Sequence, residues 1–453
     1  MAAIDSLTVF GLGFWAALGF AFAAYAVVGN DALQTLGTFI NSNRRLPWWV
    51  LFAFAGGVLV LTFSYGWVVN GGDPSYGRLA NTEKYPPISI EWYHTLPPLV
   101  LVLITRLGVP VSTSFMVLTI FASVAGLGSM IEKSMIGYAL AFAVGLGIWL
   151  VIGRTLERWF ETSALDGFVP MGLIGAVGTA FFAAQFYIFG TIGSPPVMWT
   201  GIGITLAIEV CALTLAFTRG RGLYWVAAQW ATTGYLWAVW LIQDFANIFV
   251  FLPRELTAGQ GFAAMGVIVL FLGITFANAG GPVQRILRTK TNVIDIRSAT
   301  IIDFSYASLL FFFKELSDIP MSTTWVFLGL IAGREYGFAL SRATTRFTAA
   351  VIDTAEDLAK AFVGIVISVD LAVGLPLIAQ SLAGGEVRFG DVFPTEGFLL
   401  FVSVTNLALI PVVLFAFSKP EDDLEHRRRN FAISVVTLLI LLLGSVVAFP
   451  VLA

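Results

Sequence analysis

Apolar runs of about twenty residues recur along most of this chain, and a helix of that length crosses the hydrocarbon core of a bilayer. Reading spans from the gaps between charged residues gives segments near 8–28, 47–70, 134–153, 168–190, 200–218, 222–243, 262–279, 358–380, 397–417 and 431–450. Two further apolar pairs, 92–107 with 113–130 and 299–316 with 321–338, are each split by a proline-containing polar tip. Each pair returns the chain to the side it started from, whether it dips into the membrane or crosses it twice. Only 12% of the 453 residues are charged, about half the share in a soluble domain. The expected fold is an all-α polytopic membrane protein with about 10 spans and 2 hairpins. Soluble enzymes, nucleic-acid binders and disulfide scaffolds are excluded. A net charge of −3 implies no polyanionic partner, and the single cysteine, Cys211, allows no intrachain disulfide. No Lys or Arg precedes the first apolar run, so it reads as a retained span rather than a signal peptide.

The basic residues orient the chain. With the N-terminus outside, sixteen Lys and Arg fall on one set of alternating loops, among them Arg44, Arg45, Arg154, Arg158, Arg219 and Arg427–Arg429. The other set receives five: Arg78, Lys84, Lys133, Arg254 and Arg388. The positive-inside rule then places both termini outside and the basic loops in the cytoplasm.

Two polar patterns occur once in each half. The first joins a carboxylate to amides, as Asn30-Asp31 with Gln34 and as Gln243-Asp244 with Asn247. The second is a proline followed by hydroxyls, as Pro110-Val111-Ser112-Thr113-Ser114 and Pro320-Met321-Ser322-Thr323-Thr324. Asp31 and Asp244 are 213 positions apart and the two prolines 210. A spacing held so closely suggests a duplication, and the charge-based topology makes the halves inverted, as in secondary transporters with a midplane site. The expected organisation is a first inverted repeat over 1–153 and intervening helices over 154–221. A second repeat over 222–380 and C-terminal helices over 381–453 complete it.

A carboxylate inside a membrane segment is costly and marks function by default. Asp carboxylates with Asn and Gln carbonyls supply the oxygens that a hard cation prefers. Asp31 with Gln34, and Asp244 with Asn247, are three apart and share a helical face. The plainer alternative is that each Asp ends its span in headgroup water. At the tips, proline stops the incoming limb, and Ser or Thr caps the outgoing helix, whose unpaired N–H groups suit an anion. Two such starts facing each other could hold a tetrahedral oxyanion without Arg or Lys; the alternative is a pair of ordinary polar turns. Asp303 could serve a cation or a gate, and equally a membrane edge. Glu91 with His94 at the start of the first hairpin, and Glu209 mid-span, read more simply as hydrogen-bonded residues. No HExxH, GxSxG, Walker A or CxxC pattern occurs, so the chain is not expected to be an enzyme or to use a cofactor.

These residues resemble the inorganic phosphate transporter (PiT) family of sodium- or proton-coupled phosphate symporters. That family carries G-A-N-D-V-A-N-A-type motifs near the start of each repeat and P-V-S-T-T-H at hairpin tips. The matching segments here are Val28-Gly29-Asn30-Asp31-Ala32-Leu33-Gln34, Pro110–Ser114, Gln243–Asn247 and Pro320–Thr324, in order between about residues 20 and 380. The resemblance implies sodium-binding roles for Asn30, Asp31, Asp244, Asn247 and Asp303. It implies substrate-binding roles for Ser112, Thr113, Ser114, Ser322, Thr323 and Thr324, with Gln34 and Gln243 beside them. Re-entrant hairpins, and a homodimer as an option, also follow from the resemblance alone. This chain departs from the family where Gln34 and Gln243 replace Asn, where Phe115 and Trp325 replace the tip histidines, and where Phe245, Phe249 and Phe251 are bulky.

The expected function is therefore sodium-driven import of inorganic phosphate by a multi-pass protein of a bacterial or archaeal inner membrane. Its partners are phosphate or a similar oxyanion, sodium or a proton, and the lipid bilayer. A proton-coupled transporter of sulfate or another tetrahedral oxyanion is the nearest alternative. A non-transporting receptor or channel on the same scaffold is the alternative from another class.

Overall fold

The computed structural model describes residues 7–9, 11–43, 45–106, 111–151, 178–180, 183–184, 195–220, 222–278, 296–316, 320–341, 347–383, 395–417, 428–429 and 432. The spans expected near 168–190 and 431–450 lie almost wholly outside these residues, as do Pro110 and the side chains of Asp31 and Gln34. The described chain is helical apart from a two-residue antiparallel pairing of Thr8–Val9 with Leu12–Gly13. Its α-helices are α1 (Phe14–Ser42), α2 (Trp48–Val69), α3 (Leu96–Arg106), α4 (Thr113–Leu118), α5 (Val124–Val151) and α6 (Pro195–Arg219). They continue as α7 (Gly222–Phe249), α8 (Ala258–Ala277), α9 (Ile296–Leu316), α10 (Thr323–Ser341), α11 (Phe347–Leu382) and α12 (Glu396–Ala416).

Among the described residues, five helices are long and apolar enough to cross a membrane: α2, α5, α8, α11 and α12. Their outer faces carry bare apolar side chains, with Leu61 on α2 at 72% and Phe262 on α8 at 67% exposure. In water such faces would be penalised, whereas lipid makes them neutral. Trp48 and Trp49, exposed at the start of α2 and close behind Arg45, fit the aromatic belt of a headgroup layer.

Several boundaries differ from those read off the sequence, each for a local reason. Helix α1 runs through Asn30, Asp31 and Gln34 to Ser42, and α7 runs through Asp244 and Asn247 to Phe249. Both motifs therefore sit within helices instead of ending them. The limb expected over 113–130 stops early, because the Ser123 N–H donates to the Lys84 carbonyl at 2.8 Å and its hydroxyl accepts from the Gly126 N–H at 3.1 Å. That capping opens α5, which then continues through Lys133. Lys133 is buried within α5 rather than standing on a loop, and Arg78 and Arg297 are buried too.

Helix α7 is the hub, packing against α1, α2, α6 and α9. Trp237 and Trp240 stack on it with ring centroids 5.0 Å apart, and the Trp237 indole donates to the Ala55 carbonyl of α2 at 2.9 Å. Phe245 and Phe249 meet each other and Phe63 of α2, while Phe251 meets Phe121 edge-on at 5.1 Å. These bulky residues thus fill the space between helices.

The closest backbone approach joins α5 to α10. Gly329, Gly333 and Gly337 recur every fourth residue, so they share one face of α10. A Cβ at Gly329 would collide with the Tyr138 carbonyl oxygen, and one at Gly333 with that of Phe142. From the other side, Gly145 lies against the Leu330 carbonyl. Without a hydrophobic drive between helices in lipid, small residues that let backbones touch supply the contact. Near its end Arg334 lies over the paired rings of Trp149 and Phe338, 5.4 Å from each centroid. Replacing Gly333 by Leu is expected to cost about 1–3 kcal/mol through overpacking. Thermal unfolding in detergent checks this, and an unchanged midpoint would remove the glycine face from the account.

Candidate functional site

The second polar motif and both proline tips converge on one carboxylate. Asp244 lies three-quarters of the way along α7 and is fully buried. Its Oδ1 accepts from the Asn247 amide at 2.7 Å and from the Ser114 hydroxyl at 3.4 Å. Its Oδ2 accepts from the Thr323 hydroxyl at 3.0 Å. Asn247, one turn further along the same face, also donates towards Thr113 Oγ1 at 3.2 Å and Ser114 Oγ at 3.1 Å. The one Ser114 hydroxyl proton is shared between Asp244 Oδ1 and the nearer Met321 carbonyl at 3.0 Å, tying the first tip to the second.

The hydroxyls of each tip divide into two duties. Ser112 accepts from the Phe115 N–H and Ser322 from the Trp325 N–H, both at 3.2 Å, so each is the N-cap of its helix. Thr113, Ser114, Thr323 and Thr324, which follow the caps, are the residues left to face the cluster, and all are buried. The tips differ in what they start. Helix α4 has six residues before a 3₁₀ turn, whereas α10 has nineteen. The helix-start contribution expected of both tips is therefore substantial only at the second. Phe115 and Trp325, at the positions where the resembled family has histidines, meet edge-on at 6.3 Å and join the tips by an apolar contact.

Two buried oxygen atoms, Asn247 Oδ1 and the Oγ1 of Thr324, the residue after Thr323, have no hydrogen-bond partner among the described residues. The indole N–H of Trp325 is in the same condition. Buried polar atoms are ordinarily satisfied, so such exceptions fit a place where a ligand or water supplies the missing bonds. Among the described residues no group of three or more His, Cys, Asp or Glu is gathered. The donor set is one carboxylate with amides and hydroxyls, chemistry suited to alkali cations and oxyanions.

Not every residue singled out in the sequence joins this cluster. Asn30 approaches it, donating to the Val111 carbonyl of the first tip at 3.2 Å. Asp303 accepts from Thr233 at 2.8 Å. Thr233 precedes Asp244 by eleven residues on α7, which is about 16 Å at 1.5 Å per residue. Asp303 thus belongs to a different level of the bundle. His94 accepts the Glu91 N–H on Nδ1 at 2.9 Å and stacks on Phe121 at 5.3 Å, so it cements an interface. Glu209 accepts from the Tyr224 hydroxyl at 3.0 Å.

One residue of the cluster escaped the sequence reading. Arg78 is 1% exposed and its guanidinium donates to Gln243 Oε1, while the Gln243 amide donates to the Leu310 carbonyl at 2.9 Å. Gln243 is the sequence neighbour of Asp244, so Arg78 stands at the edge of the cluster. Arg78 comes from a loop 165 positions from Gln243, and only the folded loop brings it there.

The backbone has a solved counterpart. A structure described as "The sodium-dependent phosphate transporter" superposes with a TM-score of 0.55, covering 82% of this chain and 98% of that one at 15% identity. The chain shares that fold. No protein-family profile matches the sequence. No curated protein matches it by sequence. At such low identity the shared property is the path of the helices, and the side chains above stand on their own geometry. The protein is a multi-pass helical membrane protein that shares the fold of that structure.

Removing the Asp244 carboxyl takes an acceptor from three buried donors, on Asn247, Ser114 and Thr323. A buried donor left unsatisfied costs about 1–3 kcal/mol. Asp244→Ala is accordingly expected to lower the thermal midpoint in detergent by several degrees, and an unchanged midpoint would contradict the geometry.

Proposed function

We propose that this chain is a divergent member of the inorganic phosphate transporter family, a secondary active symporter that imports inorganic phosphate with sodium. One observation carries the reading. Ser114 and Thr323, from tips 209 positions apart, donate to the two oxygens of the same buried carboxylate. A site assembled from corresponding pieces of two halves, deep between helices, is the arrangement that alternating access requires. The shared fold and the four motifs in family order support the same reading.

In this reading phosphate is held between the tips by the hydroxyls that are not capping helices. Thr324, whose hydroxyl has no partner among the described residues, and Thr113, whose hydroxyl accepts from Asn247 and keeps its proton to give, are the donors this reading assigns. Sodium binding at the carboxylate–amide motifs offsets the charge of the anion, so neither ion crosses the low-dielectric core alone. The described side chains of the cluster are buried, with exposure no higher than 6%, which supports reading this conformation as one with the site closed. Opening it on one side means separating the tips, which breaks the Ser114–Met321 bond and parts Phe115 from Trp325. The inverted halves, with both termini outside and basic loops in the cytoplasm, are the scaffold for that exchange.

Phosphate uptake into proteoliposomes tests the proposal. An inward sodium gradient is expected to drive uptake that a matched potassium gradient does not, with arsenate competing and sulfate failing to compete. Uptake indifferent to the cation would contradict sodium coupling, and sulfate uptake in place of phosphate would reassign the anion. Thr323→Val keeps the shape and removes one donor. It is expected to weaken apparent phosphate affinity about tenfold, equivalent to about 1.4 kcal/mol.

A further inference from the structure

The hydrogen bonds around Asp244 fix which way the Asn247 amide faces. Asn247 is fully buried, and its Nδ2 lies 2.7 Å from Asp244 Oδ1, 3.2 Å from Thr113 Oγ1 and 3.1 Å from Ser114 Oγ. Turned over, the amide would set its own oxygen against the carboxyl oxygen, acceptor against acceptor, so the nitrogen takes this side. Its two protons meet three acceptors there, which leaves none for a ligand. The oxygen of the same amide is in the opposite condition. Asn247 Oδ1 is buried and has no hydrogen-bond partner among the described residues. A buried acceptor of this kind asks for a donor, and its nearest neighbour in the cluster, Thr113, has its oxygen facing the amide nitrogen instead.

We infer that Asn247 Oδ1 accepts the hydroxyl proton of the substrate, so that the site takes a tetrahedral oxyanion that carries a proton and rejects one that carries none. The inference rests on the phosphate reading above and adds what sets the choice among oxyanions. Donors alone would hold any oxyanion of suitable size. An acceptor beside them does more, because it repels an oxygen that has no hydrogen and stays unsatisfied beneath it. Hydrogen phosphate and hydrogen arsenate have a hydroxyl to give to Oδ1 and bare oxygens left for the Thr113 hydroxyl, on the side chain that touches the same amide. Sulfate has acceptors only. Sites built to bond a substrate hydroxyl reject the analogue that lacks it far more strongly than an apolar pocket rejects a change of size. Asp244 acts in the same direction, since its oxygens add lone pairs next to that amide. The amide oxygen of Asn247 thus goes to the anion, and a coupling cation is left to other oxygens of the motifs.

The test uses fluorophosphate, which matches hydrogen phosphate in charge and nearly in shape but carries fluorine in place of the hydroxyl. The full chain, in detergent with sodium chloride at mildly alkaline pH, is titrated with phosphate, fluorophosphate and sulfate. The thermal midpoint reports binding, because a ligand held only by the folded state raises it. Phosphate is expected to bind at least about tenfold more tightly than fluorophosphate, equivalent to about 1.4 kcal/mol, and sulfate no better than fluorophosphate. Asn247→Leu removes the acceptor and is expected to narrow that gap. Thr324→Val removes a donor and is expected to weaken phosphate and fluorophosphate alike, keeping the gap. Fluorophosphate or sulfate that binds wild type as tightly as phosphate overturns the inference and gives Oδ1 to sodium or water, while the phosphate reading stands. A gap that survives in full in Asn247→Leu overturns it too. If Asn247→Leu fails to fold, the comparison of phosphate with fluorophosphate on wild type and on Thr324→Val still decides. A wild type that none of the anions stabilises contradicts the phosphate reading and this inference together.

Discussion

A single carboxyl group, that of Asp244, fully buried within a helix of a membrane protein, imposes the rest of the arrangement. A buried charge without compensation is costly by several kcal/mol, so the chain must deliver partners to it from wherever they lie. It does so from three places: Asn247 on the same helix, Ser114 from one tip and Thr323 from the other. No two neighbouring segments could have supplied this set. Closing the fold and satisfying the carboxylate are therefore the same event, and a residue of modest size fixes the relation between two distant halves.

The contacts around this point differ in strength, and the differences indicate what can move. Across the α5–α10 face, backbones touch through Gly329, Gly333 and Gly145, a fit that tolerates no sliding. Between the tips the ties are one hydroxyl-to-carbonyl bond and one edge-on aromatic contact. Polar contacts of that kind inside membrane proteins average about 0.6 kcal/mol. In the proposed cycle the glycine-packed pair moves as a unit, while the tip-to-tip contacts break and re-form. The carboxylate then serves as the latch, because its bonds to both tips are present together only when the site is closed.

The helical membrane fold was legible because its signal is crude and repeated. Apolar length alone marks α2, α8 and α12, whatever their neighbours. The tips were legible for a different reason: proline followed by hydroxyls encodes a helix stop and a helix cap locally, and Ser112 and Ser322 do cap. What the sequence hid is everything set by distance along the chain. Arg78 looks like any loop arginine until the turns at Asp73, Tyr76 and Gly77 aim it inwards. Asp303 shares a motif-like neighbourhood with the other carboxylates, yet its register on α9 sets it beside Thr233, several turns from Asp244. The extension of α1 and α7 through their polar motifs was hidden for a related reason. A carboxylate reads as a span end unless its compensating partners are known, and those lie elsewhere in the chain. The same holds for the glycine repeat of α10, whose role depends on which helix faces it.

The measurement that reaches the central claim most directly is the position of a heavy tetrahedral anion in an experimental structure. Arsenate has the shape and charge of phosphate and an anomalous X-ray signal that locates its central atom. Crystals grown with sodium and arsenate are predicted to show that signal between the two tips, within hydrogen-bonding reach of Thr113 and Thr324 and close to Asp244. A well-occupied arsenate elsewhere in the bundle, with the tip hydroxyls still bonded as they are here, would contradict the account.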